Sequence, residues 1–419
     1  MNNTIKLAVA SALLAAASSA NAGISIPAGD WTLDIGGVVN AYYTNTSYSG
    51  DDAGTAALGL GNGKAASSSN ITTGLLPNYL SVSGKTRQND LDVGFTISLN
   101  PGASTSSAGF QGSQQENRQA FVTFGDKSWG SIKLGKDLGI YASDAILNEM
   151  TLLGVGGGAG ALAGNTTTLG RIGSGYMYAD WKSQVAYTSP NWNGFQFTAG
   201  LTQAWNATTS STAVVTDPIT GAVVTNGTNP FDSAVNTGRG GASTAYEGKA
   251  SYEWAGDVSG KVWASGIYQK VSGFAGRIGA DNAQAMDIGA NVNVAGFGLT
   301  GYYGKGDGIG QTFQMRDGFD RNGKSRDSDQ WYVQGTYTLP GVGTKLGVSY
   351  GESTLDGNSV DTFKDLQDSM ITVGAYHPLT KHLNLVAEYS ESQRELDRRA
   401  DTTLDAKAKT ISLGAILFF

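Results

Sequence analysis

The chain has 419 residues, a formal net charge of −7, 60 glycines, 8 prolines and no cysteine. The last point excludes disulfides and thiolate chemistry. A mildly acidic chain without clustered Lys and Arg argues against a nucleic-acid surface.

The first 22 residues read as a secretory signal. MNNTIK carries one lysine, Leu7 to Ala17 form an apolar run, and Ala20-Asn21-Ala22 supply a small-residue exit before Gly23. The apolar run is much shorter than the ~20 residues a spanning helix needs, and no apolar run of ~18 follows it. No linker or shift in composition divides 23–419, which reads as one domain.

Beyond the signal the dominant period is two. Leu91, Val93, Phe95, Ile97 and Leu99 alternate with Asp92, Gly94, Thr96 and Ser98. The same pattern recurs at Phe195–Leu201, Met286–Val294 and Trp331–Leu339. Each segment is about ten residues, the length of a tilted strand crossing a bilayer. Sixteen strands are predicted, near 31–45, 78–87, 91–99, 118–125, 131–137, 182–189, 195–205, 244–254, 260–270, 284–294, 298–305, 329–338, 344–353, 369–377, 383–392 and 409–419. Those starting at 118, 182, 260 and 369 alternate less cleanly, so eighteen is the alternative count. Short connections such as QND (88–90), PNWNG (190–194) and PGVG (340–343) take turns with long polar ones near 46–77, 100–117, 138–181, 206–243, 306–328, 354–368 and 393–408.

Short turns at one end and long loops at the other imply a closed, antiparallel transmembrane β-barrel, with periplasmic turns and outer loops. A soluble sandwich also alternates, but it would have to pack sixteen apolar faces into one core. In a barrel the apolar face meets lipid and the Gly/Ser/Thr/Asn/charged face lines water. Closure pairs every backbone group, which hydrocarbon demands. The terminal TISLGAILFF places Ile411, Leu413, Ala415, Leu417 and Phe419 on one face, with Ile416 and Phe418 blurring the other. Phe419 is expected to seal the last strand against the first, which starts at Trp31.

Other motifs carry little chemistry. Gly158-x-Gly160-x-x-Ala163 lacks the strand, helix and later acid of a dinucleotide fold and reads as loop. GNGKA (61–65) lacks the spacing of a phosphate loop. Residues 317–329 contain half a calcium loop, with Gly318 at the first ligand position, and read as a solvated outer loop that touches divalent ions bridging lipopolysaccharide. His377 and His382 flank a short turn without a third ligand. No nucleophile motif frames a catalytic serine, so neither an enzyme nor a cofactor is predicted.

Several stretches resemble the general bacterial porins, trimeric sixteen-stranded barrels of Gram-negative outer membranes. They are TLDIGGVVNAYY, KSQVAYTSPNWNGFQFTAGL, ENRQAFVTFGDKSWGSIKLGKDLGIYASDA and the terminal strand ending in Phe. The resemblance implies a passive channel for ions and small hydrophilic solutes. A ligand-selective channel for one particular nutrient is the alternative. It also implies a homotrimer, contact with lipid and lipopolysaccharide, and insertion by machinery that reads Phe419. The third loop, 138–181, would fold into the lumen and narrow it. Glu149 matches the family's first loop acid, Leu153 stands where a second is usual, and Asp144 is its candidate substitute. Arg171 and Arg118 match arginines of a basic wall cluster, Tyr79 replaces another, and Tyr141 joins the pore-lining set. Lys85 and Lys133 fall on the lumenal parity of their strands. Arg118 shares parity with Ala120 and Val122, so alternation sends it to lipid while the resemblance sends it to the lumen. A bare arginine at mid-bilayer costs roughly 2–4 kcal/mol in a barrel, which favours the lumen. One loop acid fewer leans the channel towards anions, and the acidic net charge opposes that.

Overall fold

The structure is a computed structural model that describes residues 23–50, 67–104, 115–157, 167–207, 215–216, 223–224, 244–271, 281–320, 322–400 and 403–419. The signal, GNGKA, the Gly158–Ala163 motif and most of 206–243 lie outside them.

Sixteen antiparallel strands form the wall. In chain order they are β1 Trp31–Gly50, β2 Tyr79–Gln88, β3 Leu91–Pro101, β4 Ala120–Asp126, β5 Gly130–Leu138, β6 Trp181–Thr188, β7 Phe195–Thr202 and β8 Ala245–Trp254. Then follow β9 Val258–Lys270, β10 Asn282–Val294, β11 Phe297–Asp307, β12 Asp327–Thr338, β13 Lys345–Asp356, β14 Phe363–Pro378, β15 Leu383–Arg398 and β16 Thr403–Phe418. Each pairs with its chain neighbour, and β16 returns to β1 in register Val38↔Phe418 to Gly50↔Ala406, which closes the barrel. Phe419 completes the seam through its amide to Gly37 O at 3.1 Å and its carbonyl from Gly37 N at 2.8 Å. Below that point the short strand Ile24–Ala28 takes over the edge of β1, pairing Ile24↔Ile35 to Ala28↔Trp31.

The side-chain faces are inverted relative to a soluble sheet. On β10 the outward Met286 and Ile288 are 73% and 61% exposed, while Ala283, Ala285 and Asp287 are buried. On β16 Ile411 and Leu413 face out, whereas Thr410, Ser412, Ile416 and Phe418 are buried. Apolar groups turned outward on a closed wall require hydrocarbon around them.

Three differences from the sequence expectation have physical causes. First, β14, β15 and β16 run well into the stretches 354–368 and 393–408 that read as loops. Above the bilayer neither face needs to be apolar, so pairing continues after the hydrophobic alternation has ended. Second, the wall beside β1 is split. Ser67–Thr72 pairs with its outer half and β2 with its inner half. Between them 73–78 leave the wall, because Pro77 cannot donate to a ladder. Asn40 substitutes for the lost pairing, accepting from Gly74 N at 2.9 Å and donating to Leu76 O at 2.9 Å. Third, 306–328 is not a solvated loop. Its Ile309, Met315, Phe319 and Asp320 are buried, and Asp320 Oδ1 is already occupied by the amides of Asn322 and Lys324 at 2.8 and 2.9 Å.

Candidate functional site: the lumen and its inserted loop

The connection between β5 and β6 enters the barrel. Its base is tied by Gly139 N to Asp180 O at 2.8 Å. A short helix, α1 Ser143–Leu147, and a 3-10 turn, Met150–Leu153, follow. Ala142 opens α1 at φ 61°, an uncommon conformation for a residue with a Cβ, and its amide is held by Ser265 Oγ at 3.0 Å.

The loop is fastened to the wall at successive strands. Glu247 of β8 accepts the amides of Ile140 and Tyr141 at 2.8 and 2.9 Å, with Lys182 Nζ at 2.5 Å on its other oxygen. Tyr332 of β12 donates to Ala145 O at 3.0 Å, and Gln334 Oε1 accepts Met150 N at 2.6 Å. Tyr42 of β1 donates to Leu153 O at 2.7 Å. Glu388 of β15 accepts the amides of Val155 and Gly156 at 2.7 and 2.9 Å. Loop backbone in a wall-lined lumen would otherwise leave these donors and acceptors unpaired, at about 1–3 kcal/mol each. Between the fasteners lies an apolar core inside the barrel. Ile146, Met150, Leu152 and Val155 of the loop meet Tyr42, Tyr302, Tyr332, Tyr376, Ile416 and Phe418 of the wall. Leu75 and Leu76, from the segment that leaves the wall, join them, with Leu75 N on Gly154 O at 2.8 Å. The break in alternation at Ile416 and Phe418 therefore marks the surface on which the loop sits.

The predicted residues occupy several places rather than one row. Asp144 is buried on α1 and paired with Lys249 of β8 at 3.1 Å and Lys261 of β9 at 2.6 Å. Burial opposes its ionisation, yet the two ammonium groups overcome that and hold its carboxyl at about 2. Glu149 faces Arg171 at 3.6 Å, both side chains fully buried. Burial pushes the Glu149 carboxyl above its ordinary range, against the pull of Arg171 and the Thr151 hydroxyl. Arg171 stands on the loop, not on the wall as the resemblance implies. It donates to two wall carbonyls, Met370 O at 2.6 Å and Ser349 O at 3.1 Å. Arg118 precedes β4 in a stretch outside the strand, so strand parity does not govern it. It is buried over the Trp181 ring at 5.7 Å and paired with Glu116 at 2.8 Å.

Lys133 lies on β5 over the Phe121 ring at 4.8 Å and forms an ion pair with Asp137. Lys85 shares a face with Ser81 and Ser83 near the short-turn end of β2, paired with Asp34 at 3.0 Å and away from the loop. Tyr141 packs into an apolar cluster with Met177, Ile267 and Phe319 instead of lining open space. Sequence reasoning missed Lys249, Lys261, Lys345, Glu247 and Glu388. Their signal was available: each is a charged residue on the polar parity of a strand.

A closed wall of this size, apolar outside, with ionisable pairs inside and a loop across its interior, defines an outer-membrane channel. The model of the Gram-negative porin family matches residues 8–396. The chain belongs to that family, whose members are channels rather than enzymes. No curated protein matches the chain in sequence. Among solved structures, it is similar to the outer membrane channel DcaP of Acinetobacter baumannii, with TM-score 0.61 and 14% identity over 95% of this chain and 100% of that one. It is also similar to OmpT of Vibrio cholerae, with TM-score 0.56 and 14% identity over 94% and 100%. For OmpF of Salmonella typhi in complex with daunomycin the values are 0.54 and 16% over 93% and 100%. One V. cholerae OmpT structure is a trimer form, at TM-score 0.52 and 13% identity over 93% and 99%.

Proposed function

We propose that this porin, cleaved before Gly23, assembles as a homotrimer in contact with lipopolysaccharide and passes ions and small hydrophilic solutes by passive diffusion. The observation that carries the reading is the loop, which is anchored on all sides within a polar wall. It narrows the path without presenting a catalytic group. Opposed charges at Asp144, Lys249 and Lys261 set a transverse field that orients water and dipolar solutes, and conduction needs no tight binding. Lys133 and Lys85 continue the charged lining towards the short-turn end. Glu149 and Arg171 act as a strut that holds the loop's shape, with Tyr141 and Arg118 supporting its base.

Planar-bilayer recording of the purified full chain tests this. Ohmic steps in potassium chloride and swelling of liposomes that falls off with solute size are expected. A chain that stays soluble in buffer without detergent and leaves liposomes sealed would overturn it.

A further inference from the structure

A cavity lies on the short-turn side of the inserted loop, floored by Leu147, Met150, Leu152, Leu153 and Phe297. It measures about 330 Å³ and lies between Asn148–Leu153 and the inward faces of β10, β12 and β13. That size accommodates a small metabolite. Its wall carries Asn291, Asn293, Gln334, Thr336 and Thr338, with Lys345 at the start of β13.

Lys345 is the cation that lines this space, and the buried Glu149 carboxylate is the acid whose charge it feels without a direct contact. Lys182, Lys249 and Lys261 each hold an acid at 2.5, 3.1 and 2.6 Å. The Lys345 ammonium lies over the Tyr376 ring at 5.5 Å and makes no ion pair or hydrogen bond among the described residues. Glu149 also borders the cavity, but its carboxylate is turned to Arg171 and to Thr151 N at 3.0 Å. Several polar groups are likewise committed. Gln334 serves the loop backbone on both ends of its amide, and Asn291 Nδ2 donates to Thr300 Oγ1 at 2.7 Å. What remains for a solute is Asn293 Oδ1 and the hydroxyls of Thr336 and Thr338. Gly298 keeps room for the first two: a Cβ there would fall 2.8 Å from Asn293 Oδ1 and 2.6 Å from Thr336 Oγ1.

We propose that this cavity is a subsite for a small hydroxylated carboxylate. The carboxylate sits on the Lys345 ammonium, and the hydroxyls exchange hydrogen bonds with Asn293, Thr336 and Thr338. A charged hydrogen bond is about twice as strong as a neutral one, so the ammonium sets residence while the hydroxyl partners separate sugar acids from simple anions. The proposal rests on the channel reading above. It adds a waypoint between the loop and the periplasm.

The test is current-noise analysis of the full chain in planar bilayers, with gluconate, glucose or chloride added on the short-turn side. Gluconate is expected to interrupt the current at millimolar concentration and glucose to do so far less. Lys345→Gln should lower gluconate association about tenfold and leave potassium chloride conductance within about twofold. Thr336→Val, which keeps the charge, should lower gluconate association several-fold and leave chloride permeation unchanged. If gluconate fails to interrupt an otherwise conducting channel, or if Lys345→Gln weakens gluconate and chloride alike, the subsite is overturned and the channel stands. Absence of any conductance overturns both.

Discussion

At the scale of single residues, two acids on one loop have opposite environments. Asp144 has two ammonium partners within hydrogen-bond distance, and its carboxyl is held at about 2. Glu149 is fully buried, and its guanidinium partner stands back at 3.6 Å. Its carboxyl is raised, by burial above all. The signs follow by linkage. The depressed Asp144 stabilises the loop at every pH above the ordinary carboxylate range and loses that contribution only as pH falls through about 2. The raised Glu149 works in reverse: its deprotonation is costly in the folded chain, and that cost disappears as acid protonates it. Acidification from neutral therefore removes the Glu149 charge first and leaves the Asp144 cluster intact. Reversal potentials in a salt gradient should drift towards anion selectivity as pH approaches the carboxylate range from above. Glu149→Gln should flatten part of that drift. Superimposable titrations of the two proteins would contradict the assignment.

At the scale of elements, the loop is a strap with several buckles, and its tightest point is at Glu388. Gly154 packs so closely on that carboxylate that an added Cβ would overlap it. Its φ of −133° is open to any residue, so the constraint is steric. Gly154→Ala should push Glu388 off the amides of Val155 and Gly156, each worth about 1–3 kcal/mol if left unpaired. The expected result is a rise in open-channel noise and in mean conductance, with barrel unfolding in detergent little changed, because no wall strand depends on these bonds. Glu388→Gln should act in the same direction but more weakly, since an amide oxygen can still accept. A quiet, unaltered Gly154→Ala channel would count against the strap.

The same elements show what the sequence could reveal. Strand identity was legible where hydrocarbon imposes alternation, as at Leu91–Leu99 and Met286–Val294. It faded at 393–408, where paired strands stand in water. The loop's residence in the lumen was legible only through family resemblance. Its anchors were half legible: parity turns Glu247, Lys249 and Glu388 inward, but which amide or acid each meets is decided by chain more than one hundred residues away. Arg171 matches a wall arginine by resemblance although it falls within 138–181; where its guanidinium ends, on Met370 O and Ser349 O of the wall, is set by the loop's packing against Tyr332, Tyr376 and Ile416.

For the whole molecule, everything depends on closing the seam between β1 and β16. An open edge in hydrocarbon leaves a row of unpaired groups at several kcal/mol each. The seam's last links are made by the final residue, whose backbone bonds to Gly37 in both directions and whose ring lies across it. A Cβ at Gly37 would collide with the Tyr79 carbonyl oxygen of β2 and fall 2.7 Å from the Phe419 ring. Glycine is needed there for space, part of which the terminal aromatic fills. Gly37→Val and deletion of Phe419 should therefore converge on one defect, a loosened seam. Each should lower barrel stability by about 0.5–3 kcal/mol, read as earlier unfolding on heating in detergent. Combining them should cost less than the sum, since deleting Phe419 relieves one of the two clashes that a valine makes, while the clash with the Tyr79 carbonyl remains. Val39→Ala, two residues along on the same lipid-facing side at 55% exposure and outside the contact with Phe419, serves as the comparison and should cost little. If the two seam changes add fully, or match Val39→Ala in size, the ring and the glycine do not form one joint, and closure must rest on the ladder from Val38 to Gly50 alone.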